Sequence, residues 1–203
     1  MKVTWLGHSC FKIESNNEVL VIDPFEDGSV PGLANVKEDA NLCLSTHSHY
    51  DHNALHNINI INKNTVFKYE IINTYHDKEK GRLRGENKIY KISDSKYTIA
   101  HLGDLGEMLD DSKIKELQNL DLLLIPIGGF FTIDYKEAID IIKLLKPKRV
   151  IPMHYRSSEF GYPQIDTLDN FINNLDNVVF VDSNSIDLES AKENKTYVLK
   201  YQK

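Results

Sequence analysis

The sequence predicts an α/β layered fold on three observations. The first half of the chain is rich in short β-prone segments, whereas the second half alternates strands with helices. Residues 121–127 form an almost continuous apolar run, which is typical of a strand covered on both faces. After Asp134 and Glu137, a capping-box pair, apolar residues recur at helical spacing until Pro147. Together these patterns indicate two sheets packed with helices.

The individual elements follow from local signals. Asn16-Asn17 marks a turn between two strands, and Asp94-Ser95 joins a predicted hairpin. The expected strands are residues 3–6, 10–15, 19–22, 41–45, 65–74, 88–92, 97–101, 121–127, 149–153, 178–181 and 196–200. One helix follows Asp134, and a second is expected from Asp166 as its cap to about residue 175.

Composition limits the class of protein. The 203 residues are 41% hydrophobic and 27% charged, without a repeat, a low-complexity tract or a Pro/Gly-rich linker, so one domain over 1–203 is expected. The net charge of −6 argues against nucleic acid as a partner. No apolar run reaches the ~18 residues of a membrane span, and no signal peptide is recognised. With Cys10 and Cys43 expected as reduced thiols, these features predict a cytoplasmic protein; its oligomeric state stays open.

The chemistry is concentrated in residues 46–52, Thr-His-Ser-His-Tyr-Asp-His, which follow a predicted buried strand. His47 and His49 are two residues apart at a strand end, so both can point toward one ion. Asp51 and His52 lie on the following turn and can address a second ion. Three imidazoles and a carboxylate suit a borderline metal such as Zn²⁺.

Residues 46–52 resemble the signature of the metallo-β-lactamase superfamily of metal-dependent hydrolases. Further matching motifs are Leu6-Gly7-His8-Ser9, Asp23-Pro24, Gly103-Asp104, Pro126-Ile127-Gly128-Gly129 and Pro152-Met153-His154-Tyr155. The set is similar to the small branch that includes L-ascorbate-6-phosphate lactonase. The resemblance implies a four-layer αββα sandwich with two mixed β-sheets.

The resemblance also implies a ligand set. His47 and His49 would bind the first ion and Asp51 and His52 the second. Asp104 matches the aspartate that bridges both ions, and His154 matches the last histidine of the second site. The third histidine of the first site has three candidates, of which His76 fits the family position best and His101 and His56 are the alternatives.

Four other residues are candidates for roles around the metals or the substrate. Asp77 is a candidate to orient an imidazole. His8 is either a structural turn histidine or part of the metal cleft. Arg84 either grips a substrate phosphate or carboxylate or belongs to a solvated loop or ion pair. Tyr155, beside His154, is a candidate for facing the substrate.

The resemblance predicts a hydrolase with two divalent ions, for which we expect zinc, although the same ligands accept Mn, Fe, Co or Ni. A metal-activated hydroxide would cleave a small-molecule ester, lactone or phosphodiester, with Asp51 as a proton acceptor. Two alternatives stay open. One is a nuclease or phosphodiesterase acting on nucleic acid, and the other is a non-catalytic metal-binding protein of the same fold.

Overall fold

The computed structural model describes residues 1–62 and 65–202. Its strands, in chain order, are β1 (Lys2–Gly7), β2 (Cys10–Ser15), β3 (Glu18–Ile22), β4 (Glu38–Ala40), β5 (Leu42–Leu44), β6 (Ile58–Ile60), β7 (Lys68–Tyr75), β8 (Glu86–Ser93), β9 (Thr98–His101), β10 (Leu122–Pro126), β11 (Arg149–Met153), β12 (Val178–Val181), β13 (Ser185–Asp187) and β14 (Lys195–Leu199). The helices are α1 (Asp111–Glu116), α2 (Tyr135–Leu145) and α3 (Asp169–Ile172), with a 3₁₀ turn at Leu55–Asn57.

The described strands form two large mixed sheets. The first has the order β13-β1-β2-β3-β5 and is antiparallel except for the parallel pair β3–β5. The second has the order β12-β14-β11-β10-β9-β8-β7, in which β8 runs antiparallel to both its neighbours and the other pairs are parallel. The predicted fold class is therefore confirmed.

One continuous apolar core joins the two sheets. Trp5, Phe11 and Ile22 of the first sheet belong to the same buried cluster as Ile92 and Leu124 of the second. Alternation along each strand sends every second side chain to one face, which explains how short strands build this shared layer.

The two outer layers differ. Helix α2 buries Ala138, Ile141 and Leu145 on the side that packs against β10, and its predicted capping box is present at Asp134 and Glu137. Over the outer face of the first sheet lie the segment after β3 and the β4–β6 pair, whose buried side chains form a second apolar cluster. This segment contains two prolines and two glycines, which disfavour a helix there.

The helix expected from Asp166 to residue 175 is wrong in its extent. Helix α3 spans only Asp169–Ile172. It starts after Asp166 because the backbone of Asp166 is already engaged: its N–H donates to the Gly128 carbonyl and its carbonyl accepts from Arg156 N–H. The sequence also missed the short helix α1 and the strands β4, β6 and β13. The strand expected from residue 65 begins three residues later, at Lys68.

In the part of the chain that the structure describes, no helix combines the length and the apolar character needed to cross a bilayer.

Candidate metal centre

All the candidate donors follow the end of a strand at one edge of the sandwich. They lie after the ends of β1, β5, β7, β9 and β11, and they are His8, members of the segment 46–52, His76, Asp104 and His154. Asp23, a carboxylate that supports the site, follows the end of β3. His8, Asp23 and His154 have positive φ angles of 50°, 53° and 53°. Non-glycine residues in this region are uncommon and are concentrated at functional sites.

The loop after β5 is shaped by Asp23, which is fully buried. Its Oδ1 accepts from the Thr46 backbone N–H at 2.7 Å, and its Oδ2 accepts from the Thr46 hydroxyl at 2.7 Å. The same Oδ2 lies 2.8 Å from Nδ1 of His52. Although burial raises its pKa, the neighbouring His52 lowers it, and the net pKa of Asp23 is below its ordinary value. This carboxylate therefore orients His52 so that Nε2 faces the cleft.

The first group of donors is His47, His49 and His76, which offer ring nitrogens that lie within 4.8 Å of one another. His76 follows directly after the end of β7, which brings its ring beside His47 and His49. His47 and His49 are brought together by the short loop between them, and their ring centroids are 4.6 Å apart. Three convergent imidazoles can hold one divalent ion.

The second group is His8, Asp51, His52 and His154, again with donor atoms within 4.8 Å of one another. Nε2 of His8 lies 3.4 Å from Oδ2 of Asp51, and the rings of His8 and His154 have centroids 4.1 Å apart. The structure thus places His8 in the cleft rather than in a separate turn.

Asp104 lies between the two groups. Its Oδ2 is 3.2 Å from Nε2 of both His76 and His154, and its Oδ1 is 3.2 Å from Nε2 of His52. His47 Nε2 is also 3.9 Å from Oδ2, so donors of both groups meet at one carboxylate. This is the geometry expected of a bridging ligand.

The turn that presents Asp104 depends on two residues that the sequence did not single out for this role. The Asn87 side chain accepts from the Asp104 backbone N–H at 2.9 Å and donates to the Leu102 carbonyl at 3.0 Å. Gly103 has a φ of 56°, and a Cβ there would lie 2.4 Å from Oδ1 of Asn87. Glycine is therefore required for this close approach.

The cluster carries buried polar atoms without hydrogen-bond partners among the described residues. These atoms are Nδ1 and Nε2 of His8, Nε2 of His47, Nε2 of His52, Nδ1 of His76, Oδ1 of Asp104, and Nδ1 and Nε2 of His154. Buried polar groups are normally paired, and each unpaired one costs about 1–3 kcal/mol. Imidazole and carboxylate donors with free lone pairs fit divalent ions, so the residues present match the metals that the sequence implies.

The protonation equilibria agree with this fit. Burial, assisted by neighbouring imidazoles, lowers the pKa of His8 to about 4 and the pKa of His47 to about 3. These rings are therefore neutral near pH 7, as metal ligands must be. Burial also opposes a charge on His52, but Asp104 and Asp51 raise its pKa well above the ordinary value. The carboxylates thus favour a cation in the cleft.

The two alternatives for the third histidine lie elsewhere. His101 is fully buried; its Nε2 donates to the Ser9 carbonyl at 2.8 Å and its Nδ1 accepts from the Gly103 N–H at 3.1 Å. Both ring nitrogens are therefore engaged, and His101 supports the turn before Asp104. His56 is exposed, with its Nε2 3.4 Å from the Glu26 carboxylate.

Two expectations for the surrounding residues need correction. Asp77 does not orient an imidazole: its two oxygens accept from the backbone N–H groups of Glu79, Gly81, Leu83 and Arg84. It lies in the turn after β7 and organises the following loop. Tyr155 does not face the substrate cleft, because it is buried and stacks on Trp5 with ring centroids 5.5 Å apart. Burial raises the pKa of Tyr155 accordingly.

A pocket of about 330 Å³ opens beside the donors. Arg84, Phe131 and Tyr162 line this pocket. The sequence left open whether Arg84 contacts a substrate or belongs to a solvated loop or ion pair. Tyr162 was not singled out from the sequence, because it lies in an irregular segment without periodicity. The pocket also reaches the cluster itself, through His49, Asp51, His76 and Asp104.

Comparisons with known proteins identify the family to which the chain belongs. The family model described as "Beta-lactamase superfamily domain" matches residues 2–154. A UPF0173 metal-dependent hydrolase of Pyrococcus furiosus is 35% identical over 197 residues, covering 77% of this chain and 85% of that protein. One from Thermoplasma volcanium is 32% identical over 191 residues, covering 77% and 84%.

Among solved structures, a member of the metallo-β-lactamase superfamily from Thermotoga maritima superposes with a TM-score of 0.77 and 29% identity. The match covers 99% of both chains. The similarity therefore extends beyond the segment that carries the histidine signature.

Proposed function

Because the chain belongs to the beta-lactamase superfamily and is a metal-dependent hydrolase, we propose that it hydrolyses a small-molecule ester, lactone or phosphodiester at a centre of two divalent ions. Zinc is the proposed metal, since imidazole and carboxylate ligands with no thiolate suit a catalytic zinc site. His47, His49 and His76 would hold one ion, and Asp51, His52 and His154 the other. Asp104 would bridge the two.

The observation that carries this proposal is the position of Asp104. One carboxylate lies within 3.2 Å of imidazoles from both donor groups. A single-ion site would need only one of these groups, whereas a bridge between two groups supports a pair of ions. Bound there, the ions would supply the acidity that makes water nucleophilic near pH 7 and would polarise the bond under attack.

The chain's own residues would complete the reaction. Asp51 is 15% exposed in its side chain and lines the pocket, so it can meet a substrate. Burial raises the pKa of Asp51, but His52 and His8 lower it by a larger amount, which keeps the carboxylate ionised as a metal ligand must be. Its proposed second role as a proton acceptor rests on its position in the pocket. Asp23 would keep His52 in one tautomer through the 2.8 Å contact to Nδ1.

The pocket favours a small molecule over nucleic acid. Its volume of about 330 Å³ is at the lower end of the range for small-ligand sites. The net charge of −6 gives no general attraction to a polyanion. We therefore rank nuclease activity second, and its test is whether binding to nucleic acid weakens steeply with salt.

The experiment is metal analysis of the purified protein, followed by a screen on generic ester, lactone and bis-phosphodiester substrates. We expect about two metal equivalents, loss of turnover with a chelator, and its return with added divalent metal. Asp51→Asn should cut turnover strongly. A fully metallated sample that turns over no substrate in a broad panel, with Asp51→Asn indistinguishable from it, would favour the non-catalytic alternative.

A further inference from the structure

The wall of the pocket beside the donors is aromatic on one side and cationic at one point. Phe131 and Tyr162 contact each other edge to face, with ring centroids 5.9 Å apart. The guanidinium carbon of Arg84 lies 5.8 Å from the centre of the Phe131 ring. Among the described residues that line this pocket, Arg84 is the one with a fixed positive charge.

Arg84 differs from its neighbour Arg82 in what it contacts. Arg82 is exposed on the same loop and its guanidinium lies 3.5 Å from the Glu79 carboxylate. For Arg84, within residues 1–62 and 65–202, the guanidinium has no hydrogen bond or ion pair to the protein. It is half-buried over an aromatic ring and keeps its five N–H donors available to a ligand.

The loop that carries Arg84 is fixed. The Arg84 backbone N–H donates to Oδ2 of Asp77 at 2.7 Å, next to a bond of 3.0 Å from Leu83 N–H to the same oxygen. Gly85 N–H donates to the Gly81 carbonyl at 2.9 Å, which closes the loop. A cation on a held backbone costs less conformational entropy to engage than one on a free loop.

We propose that the substrate carries an anionic group, a carboxylate or a phosphoryl group, which binds Arg84 while the rest of the molecule lies against Phe131 and Tyr162. This inference rests on the proposed function, because it assigns the substrate class of that same site. Planar guanidinium groups bind both oxyanions through paired N–H donors. The scissile bond would then lie toward the metal donors at the other end of the pocket.

The test uses a probe that is anionic but a poor metal ligand. Benzenesulfonate and its neutral analogue methyl phenyl sulfone are titrated by calorimetry or NMR into the metal-loaded wild type, Arg84→Gln, Arg84→Lys and Arg82→Gln. We expect Arg84→Gln to weaken benzenesulfonate about tenfold or more, since charge-assisted hydrogen bonds are lost. Arg84→Lys should retain part of the affinity. Arg82→Gln is the matched control and should bind like the wild type, and the sulfone should not distinguish the four proteins.

Phenylacetate and benzylphosphonate, titrated in parallel, separate the two oxyanions. The larger loss with Arg84→Gln identifies the preferred group, and equal losses mean that the site accepts both. Metal content is measured on every sample. A protein without metal or turnover would refute the proposed hydrolysis, but it would leave the difference in benzenesulfonate affinity between the wild type and Arg84→Gln as a separate result. The inference is overturned if Arg84→Gln binds benzenesulfonate as tightly as the wild type, or if Arg82→Gln loses as much.

Discussion

Two loops border the cleft, and each is built around one aspartate. In the loop at residues 46–52, Asp23 contacts the backbone and hydroxyl of Thr46 and also reaches a metal donor, His52. In the loop at residues 77–85, Asp77 accepts four backbone N–H groups and fixes only the path of the chain. The first anchor therefore sets the position of a candidate ligand, whereas the second holds the backbone and leaves the guanidinium of Arg84 on the pocket wall. We therefore expect a mutation of one anchor to leave the role of the other loop unchanged.

The largest effect is expected from Asp23→Ala. The change leaves three buried donors without their acceptor, namely Thr46 N–H, the Thr46 hydroxyl and His52 Nδ1. Each buried unpaired group costs about 1–3 kcal/mol, and alanine is also strained at the positive φ of 53° that Asp23 adopts. The free energy of unfolding should therefore fall by about 3 kcal/mol or more. Metal should be lost as well, since the loop that holds four donors loses its anchor. Urea unfolding and metal analysis measure the two effects.

The control for Asp23→Ala is Asp39→Ala. Asp39 is exposed and accepts a hydrogen bond from Asn59 at the surface. Its removal should change the free energy of unfolding by no more than about 0.5 kcal/mol. An Asp23→Ala protein that keeps its full metal content would show that the loop at residues 46–52 does not need this anchor.

The next largest effect is expected on metal content, as the loss of one of the two proposed ions. His76→Ala should lower the metal content by about one equivalent, because it removes one of three imidazoles in the first donor group. His56→Ala should leave it intact, since His56 lies on the surface near Glu26. Metal analysis after gel filtration compares the two proteins. The reverse pattern would mean that the first group is assigned wrongly.

A smaller effect is expected at His8, which adds a fourth side chain to the second donor group. His8→Asn suits the test, because asparagine tolerates the positive φ of 50° that alanine would find strained. The affinity for one ion should fall about 10–100-fold, the range seen when a residue supporting a metal site is lost. Competition with a chromophoric chelator measures this. Unchanged affinity would mean that His8 is a structural turn histidine and not a part of the metal site.

The comparison also shows what a sequence can reveal about such a site. The loop at residues 46–52 was recognisable because four donors lie within six residues, and His76, Asp104 and His154 were found through the resemblance at strand ends. The contact of Asp23 with His52 joins residues 29 positions apart, so no local sequence pattern predicts it. Long-range contacts of this kind depend on how the chain folds, and they become visible only in the three-dimensional structure.

The wrong assignments have equally specific causes. Asp77 neighbours His76 in sequence, but its carboxylate turns toward the loop that follows and not toward an imidazole. Tyr155 neighbours His154 yet packs on Trp5 inside the sandwich. Adjacent residues at a strand end can therefore serve opposite sides of the structure, and proximity in sequence to a ligand is weak evidence for a role in the site.

The smallest effect, and the one that isolates the second loop, is expected from Asp77→Asn. Asparagine keeps one acceptor oxygen but turns an NH₂ group toward two of the four backbone N–H donors, so the loop at residues 77–85 should loosen. The loop contains Lys78, Lys80, Arg82 and Arg84, and trypsin should therefore cut it several-fold faster, with the sites mapped by mass spectrometry. Metal content should stay at the wild-type level, because none of these bonds reaches a donor. Asp94→Asn is the control: Asp94 also accepts from backbone N–H groups, those of Lys96 and Tyr97, but in a distant turn. If Asp77→Asn released metal without exposing the loop to trypsin, the two anchors would not be independent.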